Sequence, residues 1–343
     1  MRSTRFMMTF AATSKNNIRR LAEHKPKFLL YLFLTAGALA ASIFINAMPT
    51  TAGNVAVISA AGMDAAAAAD YVNATQLDSE YVNATQLGRE PAMSELVSGK
   101  YDAIVAFDEQ GGYEIKTIKG DEYERTLFAA MFEPAAYSAD QAGARGPGAN
   151  IIGFMMMFIL MQGSSLMFMF AEDKERKQIQ RVAASPVSFT GYLSAHGFFV
   201  FAILLAPAMA MLAIARYILG IDIGLGLLGY LGLASMLCAL SASYALFLVA
   251  VIKKGDSANM VGSASTILTS VLSGSFYSFE KGNRALEAMI KVLPQKAFLS
   301  MAELMEQGKS MSGWYHHGLY VAALIALFLV IGTAKTKMDY ARR

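Results

Sequence analysis

Six stretches of this chain run for about 20 residues or more without Asp, Glu, Lys or Arg, the length a helix rising 1.5 Å per residue needs to cross a bilayer core of about 30 Å. They are Phe28 to Met48, Ala149 to Ala171, a span within Val182 to Ala215 (taken as 191–215), a span within Ile223 to Ile252 (taken as 224–252), Ser257 to Phe279, and Trp314 to Ala334. Composition agrees, with 55% hydrophobic and only 16% charged residues, against about 25% charged in a soluble domain. The fold class expected is an α-helical polytopic membrane protein with six transmembrane helices. A single cysteine, Cys238, excludes a disulfide framework or a cysteine-built zinc site. A net charge of +3 gives no reason to expect nucleic acid as a partner.

Charge placement orients the spans. Seven Lys or Arg precede Phe28 against one acid, Glu23, and four follow Ala334 against Asp339. By the positive-inside rule both termini are cytoplasmic, residues 1–27 forming an inner segment and 335–343 an inner tail. Within the first, residues 5–20, with Phe6, Met7, Phe10 and Ile18 among basic residues, read as an amphipathic helix on the inner leaflet. The connections then alternate: 49–148 outside, 172–190 inside, a short turn near Arg216 to Asp222 outside, Lys253 to Asp256 inside, 280–313 outside. The outer segment 49–148 holds 15 acids against six bases, which supports the same orientation. The small residues Ala38, Ala40, Ala41 and Ala47 also allow a cleaved signal peptide, but the long polar leader and full-length apolar run favour a retained anchor.

Residues 49–148 read as a small extracytoplasmic α/β domain. Strands are expected at Asn54 to Ser59, Tyr101 to Phe107 and Tyr113 to Ile118, and a helix at Glu122 to Met131. Tyr71 to Leu77 (YVNATQL) recurs unchanged as Tyr81 to Leu87. Two copies cannot build a solenoid, so the repeat reads as a local duplication in a surface helix or loop, with a substrate-contacting role as the alternative. Each copy contains a glycosylation sequon, which matters only in a glycosylating secretory pathway. Gln141 to Asn150, with three glycines and Pro147, joins the domain to the next span.

Catalytic, cofactor and metal residues are not expected. None of His24, His196, His316 and His317 belongs to an HExxH motif, and the last pair sits beside Trp314 and Tyr315, where an interfacial aromatic belt belongs. Gly308-Lys309-Ser310 is the nearest approach to a phosphate-binding loop, but Glu303 stands where that loop requires glycine. The chain should not hydrolyse ATP by itself. The span cores carry no charge, which argues against proton or sodium coupling, although Glu280 at one span end remains available. Ser263, Thr266, Ser270 and Ser273 share one face of the fifth span and either pack helices or line a pathway. The Met-rich second span (Met155, Met156, Met157, Met161, Met167, Met169) offers adaptable apolar contact or lipid-facing filler.

The inner segment 172–190 is the most specific. Glu172-Asp173-Lys174-Glu175-Arg176-Lys177 leaves the second span directly, followed by Arg181 and by Ser185-Pro186-Val187-Ser188, so a charged helix must stop at Pro186. This resembles the permease subunits of ABC-2 type (type V) ATP-binding-cassette exporters, whose corresponding loop runs acidic-basic-acidic, a Gly-Thr pair, Arg, a Leu-rich turn and Ser-Pro-Val-Ser. Here Lys177-Gln178 replaces the Gly-Thr pair. The order of basic start, one span, outer domain and five spans is similar as well, as is Phe276 to Glu303, with Phe276, Phe279, Pro294 and Phe298, to the family's outer re-entrant hairpin.

The resemblance implies a coupling role for Glu172, Lys174, Glu175, Arg181, Ser185 and Pro186 against a separate ABC ATPase that binds ATP and Mg. It implies a second permease copy, identical or paralogous, facing the first across the second and fifth spans, with Met157, Met161, Ser263, Thr266, Ser270 and Ser273 along the pathway. It also implies outward movement of an amphipathic substrate, a peptide, drug or lipid, across a bacterial plasma membrane. Two other functions are compatible with the sequence: a non-transporting receptor or immunity protein for a cationic peptide, and an ATP-driven sodium exporter.

Overall fold

A computed structural model describes residues 2–23, 25–47, 53–58, 82–87, 89–97, 100–107, 113–117, 124–125, 127–128, 147–221, 223–274 and 284–340. The chain divides into two compact units, Met1–Phe44 with Gly146–Arg343, and Ile45–Arg145.

The first unit is helical. It comprises α1 (Arg2–Glu23) and α2 (Lys25–Ala47), then α4 (Pro147–Leu166), α5 (Phe168–Glu175), α6 (Gln178–Ala184), α7 (Phe189–Ala213), α8 (Leu227–Val251), α9 (Gly255–Leu272), α10 (Arg284–Lys291), α11 (Pro294–Glu306) and α12 (Met311–Tyr340); the short helix Met93–Val97, α3, belongs to the other unit. Among the described residues four helical stretches are long and apolar enough to cross a membrane: Gly148–Glu175, Phe189–Ile218, Leu227–Val251 and Met311–Tyr340. They fall where the second, third, fourth and sixth spans are expected. The expected first span lies on α2. The expected fifth span lies on α9, which is shorter and, with Asp256, Asn259 and its hydroxyl residues, less apolar than the four; positions 275–279 of that span fall outside the described residues.

Local chemistry sets the helix ends. Pro147 and Pro294 occupy first-turn positions, where a missing N–H costs nothing. Ser188 caps α7 by accepting the Gly191 N–H at 3.2 Å. The helices then pack closely. A Cβ on Gly163 of α4 would overlap Ser241 of α8, so glycine is required there, and Ser241 Oγ donates to the Ile159 carbonyl at 2.7 Å across the same contact. Met155, Met156, Ile159, Phe170, Leu237 and Phe298 are in the resulting core. The amphipathic α1 lies along α7, burying Asn17 and Leu21 and leaving Met7, Met8 and Ile18 exposed. Of the expected outer hairpin, α10 and α11 are described, with Phe298 fully buried, whereas Phe276 and Phe279 lie outside the described residues.

The second unit holds a four-stranded sheet, β1 (Gly53–Ile58), β2 (Val82–Leu87), β3 (Ala103–Phe107) and β4 (Tyr113–Thr117), in the order β2-β1-β3-β4, with α3 (Met93–Val97) between β2 and β3 in sequence. β1 runs parallel to β2 and β3, and β4 closes the sheet antiparallel to β3. The three expected strands appear within a residue or two of their anticipated bounds. Ala56, Ile104, Leu96 and Tyr101 pack together on the sheet, and Val55, Val57 and Val105 are buried as well, so β1 and β3 read as nearly continuous apolar runs. The second repeat copy corrects an expectation: Val82–Leu87 is neither helix nor surface loop but an edge strand in register with all of β1, Gly53 opposite Val82 through Ile58 opposite Leu87. Its β-branched Val82 and Thr85 suit a strand. The first copy lies outside the described residues, as does most of the expected helix Glu122 to Met131, of which 124–125 and 127–128 are helical.

Candidate functional site

The charged segment after the second span is a joint between helices. α4 passes through a single turn residue, Met167, into α5, which ends at Glu175. Lys177 then takes φ 58°, the left-handed conformation, and α6 begins at Gln178. Among the described residues Lys177 is the only non-glycine with positive φ, and it stands where the resembling family has glycine, the residue that enters this region without a Cβ penalty.

Four consecutive charges each reach another helix. Glu172 Oε2 pairs with Arg20 Nη2 at 2.7 Å, and Asp173 Oδ1 with Arg20 Nη1 at 2.8 Å, so one guanidinium on α1 bridges both carboxylates. Asp173 is only 4% exposed. Its other oxygen accepts the Tyr192 hydroxyl at 2.6 Å and lies 3.5 Å from His196 Nε2. The far ring nitrogen, His196 Nδ1, is 3.2 Å from Asn17 Nδ2, which returns the network to α1. If the amide donates, Nδ1 is the acceptor and the proton sits on Nε2, facing Asp173. Lys174 Nζ donates to the carbonyls of Val249 at 2.6 Å and Ile252 at 2.8 Å, closing the C-terminus of α8 where a cation is favoured by the helix dipole. Glu175 Oε1 accepts the Gly255 N–H at 2.8 Å, the matching arrangement for a carboxylate at the N-terminus of α9. Four consecutive residues, Glu172 to Glu175, thus tie α1, α7, α8 and α9 to the end of the second span.

Of the residues expected to couple, Glu172 and Lys174 direct their charges inward, Glu175 caps a neighbouring helix while remaining exposed, and Arg181 and Pro186 are exposed. Ser185 is half-buried and donates to the Val182 carbonyl at 2.8 Å. Arg176, Lys177, Gln180, Arg181, Pro186 and Val187 form the exposed side. Sequence reasoning missed Asp173, Arg20, Asn17, Tyr192 and His196. The available signal was Tyr192 and His196 four residues apart at the start of an apolar span, where buried polar side chains require partners.

The expected pathway residues do not share one environment. Thr266, Ser270 and Ser273 are buried within the single chain and Ser263 is partly buried; Met157 and Met161 are partly exposed on α4. Ser273 Oγ donates to the Ser270 carbonyl at 2.9 Å, whereas Ser270 Oγ has no partner among the described residues. Nearby on α4, Ser165 Oγ donates to Asn259 Oδ1 of α9 at 2.8 Å, and the buried Ser164 Oγ and Gln162 Nε2 are unpartnered among the described residues. Gln162 Oε1 accepts from Thr35 of α2 at 3.0 Å. The outward face of α9 is instead apolar: Met260, Val261, Ile267, Leu268 and Val271. Among the described residues no three His, Cys, Asp or Glu side chains converge as a metal site.

A search of curated proteins finds no match to this chain. A family model described as an ABC-2 family transporter protein matches residues 130–334, which takes in every element from α4 to most of α12 and omits α1, α2 and the sheet. With more than half of its length matched, the chain belongs to the ABC-2 family of transporter proteins and is a multi-pass membrane component of an ABC transporter.

Proposed function

We propose that this chain is the permease subunit of an ATP-driven exporter, with six spans, both termini in the cytoplasm and the sheet domain outside. A separate ABC ATPase, which binds ATP and Mg, docks on the exposed side of α6 and the turn that follows it. The observation that carries the reading is the joint at Glu172 to Glu175. A push on the exposed surface Arg176 to Val187 reaches four helices through short charged hydrogen bonds rather than through a loose loop. ATPase closure then biases a rigid-body tilt of the second span, as alternating access requires, provided the ATPase binds the two arrangements with different affinity. Glu172, Lys174 and Glu175 act inside the joint, and Arg181, Ser185 and Pro186 belong to the docking side.

The pathway for an amphipathic substrate runs beside α4 and α9, between two copies of the chain, identical or paralogous. Met157 and Met161 supply adaptable apolar contact, and Ser263, Thr266, Ser270 and Ser273 supply hydrogen bonding once the α4–α9 seam opens. The unpartnered hydroxyls of Ser164 and Ser270 support this, because a buried polar atom without a partner favours a rearrangement that gives it one. The test is charge reversal on the docking side, Lys177→Glu with Arg181→Glu. Both side chains are exposed, so the variant should insert normally and yet fail to retain its ATPase or to support substrate-stimulated ATP turnover. Unchanged retention and stimulation would refute the docking assignment.

A further inference from the structure

We propose that Glu306 is a positioning residue that latches the outer ends of the membrane helices, and that the transport cycle must release it. The latch itself stands on geometry; its part in transport rests on the function proposed above. Glu306 is the last residue of α11. Its Oε1 accepts the Gly148 N–H at 2.6 Å and its Oε2 the Ala149 N–H at 2.8 Å, so both carboxylate oxygens are spent on the first turn of α4. Pro147, just before, has no N–H, and the carboxylate takes the next two donors at the positive end of the helix dipole.

A third segment converges on the same carboxylate. Gly224, in the turn between α7 and α8, has φ 77°, and a Cβ there would overlap Glu306 Oε1 and crowd the Gly148 nitrogen. That turn is itself held, because the Ile223 carbonyl accepts the Tyr230 hydroxyl at 2.7 Å and the Leu225 carbonyl accepts Arg216 Nη1 at 2.9 Å. One side chain therefore gathers α11, α4 and the α7–α8 turn. It does so at the end of the second span opposite the joint formed by Lys174 and Glu175. Charge-assisted hydrogen bonds of this length fail within about an ångström of displacement, so a tilt of the second span that separates α4 from α11 has to break both at once.

The experiment uses the full chain with its ATPase in lipid nanodiscs, in a Cys238→Ala background. Glu306→Gln keeps the shape of the side chain but turns an NH₂ donor against one of the two N–H groups. Gly224→Ala drives the carboxylate away from the other side. Ile152→Cys, fully buried one turn into α4, is the reporter, read with a membrane-impermeant maleimide. Losing one hydrogen bond to a charged group is expected to raise labelling of Ile152→Cys about ten-fold or more, and basal ATP turnover should rise with it. Glu306→Asp, which keeps the charge but shortens the reach, should fall between the two. Hydrogen exchange at the Gly148 and Ala149 amides reports whether the contact was broken. If those amides exchange faster while labelling and turnover match the parent, Glu306 is a static helix cap and the latch is wrong. Failure of the parent to recruit an ATPase would instead overturn the transport reading, leaving exchange and labelling to judge the latch alone.

Discussion

The charged segment Glu172 to Glu175 and the hydroxyl stripe of α9 both turn polar atoms into the helical unit, but they satisfy them differently. Every charge in the segment reaches another helix: Arg20 on α1, the last carbonyls of α8, the first N–H of α9. The stripe and its neighbour Thr269 bond largely within α9, Thr269 Oγ1 donating to the Ser265 carbonyl at 2.7 Å while accepting from Gln295 Nε2 of α11 at 2.6 Å, and Ser273 Oγ donating to the Ser270 carbonyl, while Ser270 Oγ is left over among the described residues. Groups that spend their hydrogen bonds on other helices fix those helices in place. Groups that bond back to their own backbone add no tie between helices. The end of the second span at Glu172 to Glu175 is thus a joint between helices, whereas the α4–α9 seam is tied by fewer side-chain hydrogen bonds, Ser165 to Asn259 among them.

Breaking the joint should have the largest effect. Asp173→Ala leaves the buried Tyr192 hydroxyl without its acceptor and Arg20 with Glu172 as its remaining carboxylate, and each hydrogen bond lost to a charged group costs about 1.5–3 kcal/mol. Thermal unfolding in detergent should show a large loss of stability, with α1 becoming accessible to protease. A loss no greater than that from a surface substitution would dissolve the contrast between joint and seam. A smaller change sharpens it: Lys177→Gly removes the left-handed strain at the turn and should stabilise by about 1 kcal/mol in thermal unfolding. Smallest of all is Ser270→Ala, which deletes a buried hydroxyl that has no partner and should change unfolding by less than about 0.5 kcal/mol, in the stabilising direction. A marked destabilisation there would mean that the stripe, too, holds helices together.

Much of the joint could be read along the chain, because its charges are consecutive and sit at the end of an apolar run that Pro186 terminates. What they touch could not. Arg20 lies 153 residues from Asp173, and sequence distance carries no trace of that meeting. The same limit explains α9. Periodicity correctly put Ser263, Thr266, Ser270 and Ser273 near one face, but a stripe of hydroxyls facing a neighbouring helix and one facing a partner copy have the same spacing. It also explains β2, since YVNATQL is short enough for either a surface loop or a strand until β1 is placed beside it.

What the sequence determined by itself was the membrane character, because long uncharged apolar stretches have no other stable solution in water or lipid, and the family, because an acidic-basic-acidic run ending in Ser-Pro-Val-Ser has a recognisable local form. Only the tertiary structure decided which of those charges face inward, that Lys177 carries a turn suited to glycine, and that Glu306 caps a helix 158 residues away. The physical reason is common to all three. Hydrophobic periodicity follows from the geometry of a single helix and is written locally, whereas the satisfaction of a polar group depends on whichever donor or acceptor the fold brings within 3 Å of it.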